Sequence, residues 1–490
     1  MIKRLARFTA FLVVAAGLLH SQTSSDSERI IAEGLKASSL ETNLRRLTDE
    51  VGGRVPGTPA MQRGVEWGVA AFKAAGGENV HTEEFPIAHS WAEGATRMGV
   101  VAPERFEVHA ISIAWAPPLT MHQHVRMVDV GHGTPDDFAR AGQIEGGVLL
   151  VHTDEMKTWE DLFAEYLNAP GIVDRAVKAK ALAIAFQSTR PNDLLYRHTN
   201  AIAGEIDRIP MVLVAREDGS RIARLLASGQ SLYTDLAIPN QIDGPITAAN
   251  VIAEIPGSEH PDQFVLLGAH LDSWELGTGA LDNGCNAALV VEALRAIKAS
   301  GLRPRRTIRF ALFSGEEEGM VGSRAYVTTH RSELDKAAGV VIFDSGTGRT
   351  TGFSLGGRKD LVSAVTPLLS PLQQFEANNV TTDAEWGTDN FDFMLEGVPT
   401  FVANQEEANY LINYHAQSDT YDKVDLPQLK KHVAEAAALT FALADSPNAI
   451  GRRLNRAQVE QTLRETGLDK QLQVFGIWRE WENGQRGRSQ

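Results

Sequence analysis

The sequence predicts a mixed α/β protein, a mostly parallel sheet flanked by helices with a smaller inserted α/β domain. Two observations predict it. After Ile246 short apolar runs alternate with helical periodicity, and strands that alternate with helices imply a largely parallel sheet. Between about Pro103 and Ile246 the same texture recurs, in Gly147–Val151, Ala183–Phe186 and Met211–Val214, but none of those runs ends in a cluster of metal-binding side chains. That difference marks the middle of the chain as a separate unit.

The first residues place Lys3, Arg4 and Arg7 before an apolar stretch from Phe8 to Leu19, too short to span a bilayer comfortably. Residues 1–21 read as an export signal, which predicts a secreted or periplasmic protein with no stable membrane insertion once the signal is removed. From Ser27 to about His81 the pattern is helical, broken by a turn at Gly53–Pro59, so residues 22–105 read as the first part of the main domain. Residues 106–245 form the insert, whose return is marked by Pro239, Gly244 and Pro245. His122 and His124 alternate there on a strand, and without a third ligand nearby an exposed or hydrogen-bonded face is the expected role.

Residues 246–450 carry the main rhythm. Strands are expected at Ala249–Ile255, Phe264–Leu267, Thr307–Phe313 and Gly339–Phe343, with helices at Asn286–Ile297, near Gly322–Tyr326, and from Leu426 towards Ala444. Residues 451–490 read as an appended helix and a frayed tail. The formal charge of −15 argues against nucleic acid as a partner, because such a partner demands a basic face. Cys285 is the single cysteine, so no intramolecular disulfide forms, and it is expected to pack at the start of a helix.

Six side chains carry the chemistry: His270, Asp282, Glu316, Glu317, Asp344 and His415. In an open parallel sheet ligands gather beyond the carboxyl ends of the strands, and His270, Glu316 with Glu317, and Asp344 each follow a strand directly. Asp272, two residues after His270, is placed to take the second imidazole N–H and fix the tautomer. Asp282 follows the glycine-bearing stretch Gly277–Leu281, an approach that suits a carboxylate reaching between two cations. Three consecutive glutamates at the end of an apolar strand repel one another unless a cation or solvent separates them; one can bind metal while its neighbour acts as general base. Together the set offers each of two ions two private ligands and one shared carboxylate. Imidazole with carboxylate suits Zn²⁺, with Co²⁺ or Mn²⁺ as substitutes.

The stretches HLDSWELGTGALDNG, LRPRRTIRFALFSGEEEG, FDSGTG, WGTDNFDFMLEGVP and HAQSDT resemble, in this order, the co-catalytic dizinc exopeptidases, nearest to their carboxypeptidase Q group, and the insert resembles a protease-associated domain. The resemblance implies the zinc exopeptidase fold, with His270 and Asp344 on one zinc, Glu317 and His415 on the other, Asp282 bridging, Asp272 supporting His270 and Glu316 as general base. It also implies that Thr388 and Asp389 line the substrate pocket, that dipeptides or short peptides are the substrate, and that a homodimer is compatible with the family. Secreted aminopeptidases of the family commonly carry a tyrosine shortly before that aspartate; this chain has Glu385–Trp386 there. Two alternatives share the scaffold, glutaminyl cyclotransferase chemistry and a receptor-like protein without a working metal centre.

Overall fold

A computed structural model describes residues 25–489; the export signal expected over residues 1–21 lies outside the described residues. Among the described residues no helix is long and apolar enough to cross a membrane. The main unit is built on an eight-stranded sheet: β1 (Glu78–Ile87), β2 (Ile246–Ile255), β3 (His260–His270), β4 (Arg306–Phe313), β5 (Ala337–Ile342), β6 (Thr350–Ser354), β7 (Asn379–Thr381) and β8 (Thr400–Gln405). Their order across the sheet is β1-β2-β4-β3-β5-β8-β6-β7. The sheet is parallel through its centre, where β4, β3, β5 and β8 run together, and antiparallel where β1 meets β2, β2 meets β4 and β6 meets β8.

This order puts a topological switch at β3. The chain leaves β3 through the Cys285–Ser300 helix to β4 on one side, then crosses back to β5 on the other. The carboxyl ends of β4, β3 and β5 therefore open onto one crevice, the place where open α/β sheets bind ligands. β3 and β5 read as near-continuous apolar runs because helices cover both faces. On one face, the Cys285–Ser300 helix packs against the Leu426–Asp445 helix and both lie on β3 and β4. Each is buried almost all round, as expected for helices inside a core. Cys285 opens the first of them and is buried.

The helical pattern expected to reach His81 stops earlier. Thr58 caps a helix over Pro59–Ala74 by accepting the Met61 N–H, and Met61, Val65, Gly68 and Phe72 form its buried stripe. Gly68 has a packing reason: a Cβ there would meet Leu312 at 3.0 Å and Val251 at 3.3 Å. Glu78–Ile87 is instead the edge strand β1, buried only at Phe85 and Ile87. Its charged outer face and Pro86 suit an edge, where polar side chains and a missing N–H are tolerated, and a mostly polar strand carries a weak period-2 signal.

A second eight-stranded sheet holds Arg97–Ala102, Phe106–Val108, Ala110–Ser112, Leu119–Asp129, Val148–Val151, Ala183–Gln187, Met211–Val214 and Tyr233–Ile238. Its middle four strands from Leu119–Asp129 to Met211–Val214 are parallel. The chain enters and leaves this unit through Ser90–Ala92 and Gln241–Asp243, which pair with each other. A long helix, Trp159–Lys178, starts from a capping box between Thr158 and Asp161 and faces the main unit. His122 and His124 sit on the Leu119–Asp129 strand, and His124 stacks on Tyr233 at 4.1 Å between ring centroids.

The segment from Arg456 to Arg486 is packed and not a frayed tail. Three short helices, Arg456–Glu465, Leu468–Val474 and Ile477–Glu482, bury Trp478 and Trp481 against Phe391 and Met394. Beyond them Arg486 makes a two-pronged ion pair with Asp392 at 2.8 and 2.7 Å, both side chains 2% exposed. The polar composition of 483–489 hides this, because a buried guanidinium is invisible until its carboxylate partner is known.

Candidate metal centre

Four of the six residues end or follow adjacent parallel strands. His270 is the last residue of β3; Glu316 and Glu317 follow the turn Ser314–Gly315 after β4, where Gly315 takes φ +78; Asp344 lies two residues past β5. The other two arrive from loops. Asp282 sits in the tight turn Ala280–Gly284 that leads into the Cys285–Ser300 helix, and His415 follows the short helix Tyr410–Asn413. The structure brings all six together in one crevice.

Asp282 stands at the centre. One carboxylate oxygen, Oδ1, lies 3.2 Å from His270 Nε2, and the other, Oδ2, lies 3.4 Å from His415 Nε2. His270 Nε2 is also 3.1 Å from Asp344 Oδ1 and 3.9 Å from Glu316 Oε2, while His415 Nε2 is 2.8 Å from Glu317 Oε2. Asp282 thus lies between the two histidines, with Asp344 and Glu316 beside His270 and Glu317 beside His415. Ligand atoms of His270, Glu316 and Asp344 converge within 4.8 Å of one another, as do those of His270, Asp282 and Glu317.

Buried hydrogen bonds hold the donors. His270 Nδ1 lies 3.0 Å from the backbone carbonyl of Asp272, whereas the Asp272 carboxylate is 3.6 Å away. The Asp272 carbonyl is thus the nearer partner of the ring, and its carboxylate stays within ion-pair range while turning to the neighbouring loop. There it accepts the backbone N–H groups of Glu316 and Glu317 at 3.2 and 3.1 Å, which fixes the direction of both glutamates. Asp419 does the same for the other loop, accepting from Leu281 N–H at 2.7 Å and Asp282 N–H at 3.1 Å. Arg54, wholly buried, donates to the carbonyls of Leu271, Gly52, Thr278 and Gly279 and so shapes the approach to Asp282. Burial lowers its pKa to about 10, against the pull of Asp419 and Asp272.

The electrostatics call for a cation. Burial pushes the Glu316 and Glu317 carboxyls well above the usual carboxylate range, and neighbouring carboxylates add to it. Asp344 is raised by burial too, in spite of His270. Burial would also raise Asp282, but contact with His270 and the charge of His415 hold it low. The imidazoles move apart: burial drives His415 down to about 4, while the carboxylates around His270, Asp344 foremost, overcome burial and raise it. Asp282 Oδ2, Glu317 Oε1 and Asp344 Oδ1 are buried without a hydrogen-bond partner. Buried charges of this kind are normally paired or bound to metal, and two imidazoles with four carboxylates is a zinc-compatible donor set. The residues present fit the ions.

The crevice opens into a cavity of about 470 Å³. Thr388 lines it; Asp389 does not, being fully buried behind, where burial raises its carboxyl to about 8. The chain turns inward after Gly387 (φ +113) towards the Phe391–Leu395 helix, which carries Asp389 away from the cavity. Three tyrosines on the wall carry no signature in the sequence. Tyr166, from the Trp159–Lys178 helix of the inserted unit, places its hydroxyl 3.0 Å from that of Tyr414, and Tyr410 also faces the cavity. Trp386 stacks on Phe475 at 4.2 Å, so the C-terminal segment supplies another wall. Arg54 and Asp419 were equally silent. Asp419 lies only four residues after His415, but an aspartate in a polar loop has too many ordinary uses to stand out.

Residues 250–440 match the model of peptidase family M28. The chain is 28% identical over 414 residues to carboxypeptidase Q of Mus musculus, spanning 84% of this chain and 86% of that protein. It is 28% identical over 295 residues, 59% of this chain and 54% of the other, to a probable leucine aminopeptidase 2 of Arthroderma benhamiae. Among solved structures, a peptidase M28 precursor from Shewanella amazonensis superposes with a TM-score of 0.81 at 24% identity, over 89% of this chain and 99% of that one. An aminopeptidase from an Aneurinibacillus species gives 0.64 at 20% identity, over 87% and 98%. These likenesses show the fold.

Proposed function

We propose, from the match of residues 250–440 to the model of peptidase family M28, that the chain is an exported two-zinc exopeptidase that cleaves dipeptides or short peptides from a free amino end. The observation that carries this reading is the placement of the two Asp282 oxygens, one towards His270 and the other towards His415. His270 and Asp344 would hold one zinc, Glu317 and His415 the other, with Asp282 between. Zinc bound there lowers the pKa of a water towards neutrality and polarises a peptide carbonyl.

The chain's own residues do the rest. Glu316 lines the cavity beside His270, where its carboxylate is placed to take a proton from the attacking water and return it to the leaving amine. The hydroxyls of Tyr166 and Tyr414 supply hydrogen-bond donors on the cavity wall, where the Glu385–Trp386 segment carries no tyrosine. The inserted unit closes one side of the cavity, a use that agrees with its resemblance to a protease-associated domain.

Amino-end selection follows from charge. Every Asp, Glu, Lys or Arg side chain on the cavity wall is acidic: Glu160, Asp282, Glu316, Glu317, Asp344 and Glu385. A free α-ammonium is attracted there, and among the described residues no guanidinium or ammonium lines the wall to pair with a terminal carboxylate. A panel of dipeptides with free or blocked ends, with and without chelator, tests this. The expected result is chelator-sensitive cleavage that is abolished by N-acetylation and tolerant of C-terminal amidation. Equal turnover of acetylated substrates would overturn amino-end selection, and cyclised product from N-terminal glutamine peptides would favour the cyclotransferase alternative.

A further inference from the structure

We propose that the inserted unit completes the His415 half of the metal centre, with Arg197 as the positioning residue. The inference rests on the two-ion reading above. His415 has φ +59, a left-handed conformation that a residue with a side chain rarely adopts and that persists only where its surroundings over-determine it. Here the surroundings come from the inserted unit, from the loop between its strands Ala183–Gln187 and Met211–Val214.

That loop pairs with the His415 loop on both sides of the histidine. Arg197 N–H donates to the His415 carbonyl at 2.9 Å and Gln417 N–H donates to the Leu195 carbonyl at 3.1 Å, around an antiparallel bridge between Tyr196 and Ala416. Arg190 reaches the Tyr414 carbonyl at 3.3 Å. The Arg197 carbonyl lies 3.1 Å from His415 Nδ1, which leaves Nε2 directed at Glu317 and Asp282. A partner of this kind on the second ring nitrogen sets the tautomer and the ring plane of a ligating histidine.

Arg197 is held in turn. Its side chain is wholly buried, donates to Glu93 at 2.6 Å and to Glu275 at 3.0 Å, contacts the Ser112 carbonyl, and lies over the Trp91 ring at 4.9 Å. Glu93 and Ser112 lie in the chain that leads into and builds the inserted unit, whereas Glu275 stands between His270 and Asp282. The guanidinium thus ties the two units beside the centre. The halves of the centre differ in this respect, because His270 finds its Nδ1 partner within its own loop, at Asp272. Loosening Arg197 should therefore weaken one ion and spare the other, an asymmetry that general loss of stability would not produce.

Zinc titration of metal-free full-length protein against a chromophoric chelator tests this, with the step lost in His415→Ala marking the second ion. Arg197→Met is expected to weaken that step about 10- to 100-fold, the usual cost of losing an outer-shell partner, and to leave the other step in place. Arg197→Lys keeps a charge opposite Glu93 and Glu275 but cannot also hold Ser112; it should show a smaller loss in the same step, and it carries the test should Arg197→Met not fold. Two unmoved steps, or two steps weakened alike, would overturn the proposal. A wild-type protein with a single step would instead remove the two-ion reading beneath it.

Discussion

Glu316→Gln is expected to keep its zinc and lose about 10²- to 10⁴-fold in kcat, the range that a positioned general acid–base contributes. Its amide has nearly the size of the carboxyl, so the loop that Asp272 holds through the backbone N–H groups of Glu316 and Glu317 should persist. What disappears is the capacity to accept and return a proton. The expected signature is a fall in kcat with KM little changed, since an interaction made only in the transition state affects turnover rather than binding. The experiment also separates two uses of this residue. Glu316 Oε2 lies 3.9 Å from His270 Nε2, within reach of the ion that His270 and Asp344 would hold, whereas Glu317 lies 2.8 Å from His415. Loss of zinc from Glu316→Gln would make it a ligand, and near wild-type turnover would remove it from the chemistry.

Asp282→Ala should have the broader effect: both ions leave on dialysis and turnover falls below detection. Asp282 turns one carboxylate oxygen towards each histidine. Removing it takes a ligand from each ion and also the negative charge between two cations. The turn itself should survive, because Asp419 grips the backbone N–H groups of Leu281 and Asp282 and not the side chain. Elemental analysis after dialysis, beside the melting temperature of the metal-free form, distinguishes loss of a ligand from loss of fold. His415→Ala, by comparison, should shed one ion and keep the other.

The parts of the fold with strong periodicity were legible in the sequence. β3, β4 and β5 are apolar runs bounded by turns, and their carboxyl ends advertise themselves because polar side chains appear abruptly after buried ones. Edge strands and long-range pairs were not legible. β1 is half polar, and Arg486 makes sense only beside Asp392, 94 positions away. The same distinction runs through the site. The donors stand out as residue types in context, but what holds them does not: Arg54 acts through backbone carbonyls, Asp419 through backbone N–H groups, and Arg197 through its own carbonyl, and none of these contacts leaves a mark on side-chain spacing. Asp389 shows the converse. Its neighbour Thr388 faces the cavity, and which of the two would do so depended on where the chain turns after Gly387.

Anomalous diffraction at the zinc edge, from crystals of the protein grown with zinc, tests most directly whether two cations share one carboxylate. Two peaks are expected about 3.5–4 Å apart, the separation typical of two-metal hydrolases, one beside His270 and Asp344 and the other beside Glu317 and His415, with Asp282 touching both. A single peak, or two peaks of which one lies away from Asp282, would contradict the account.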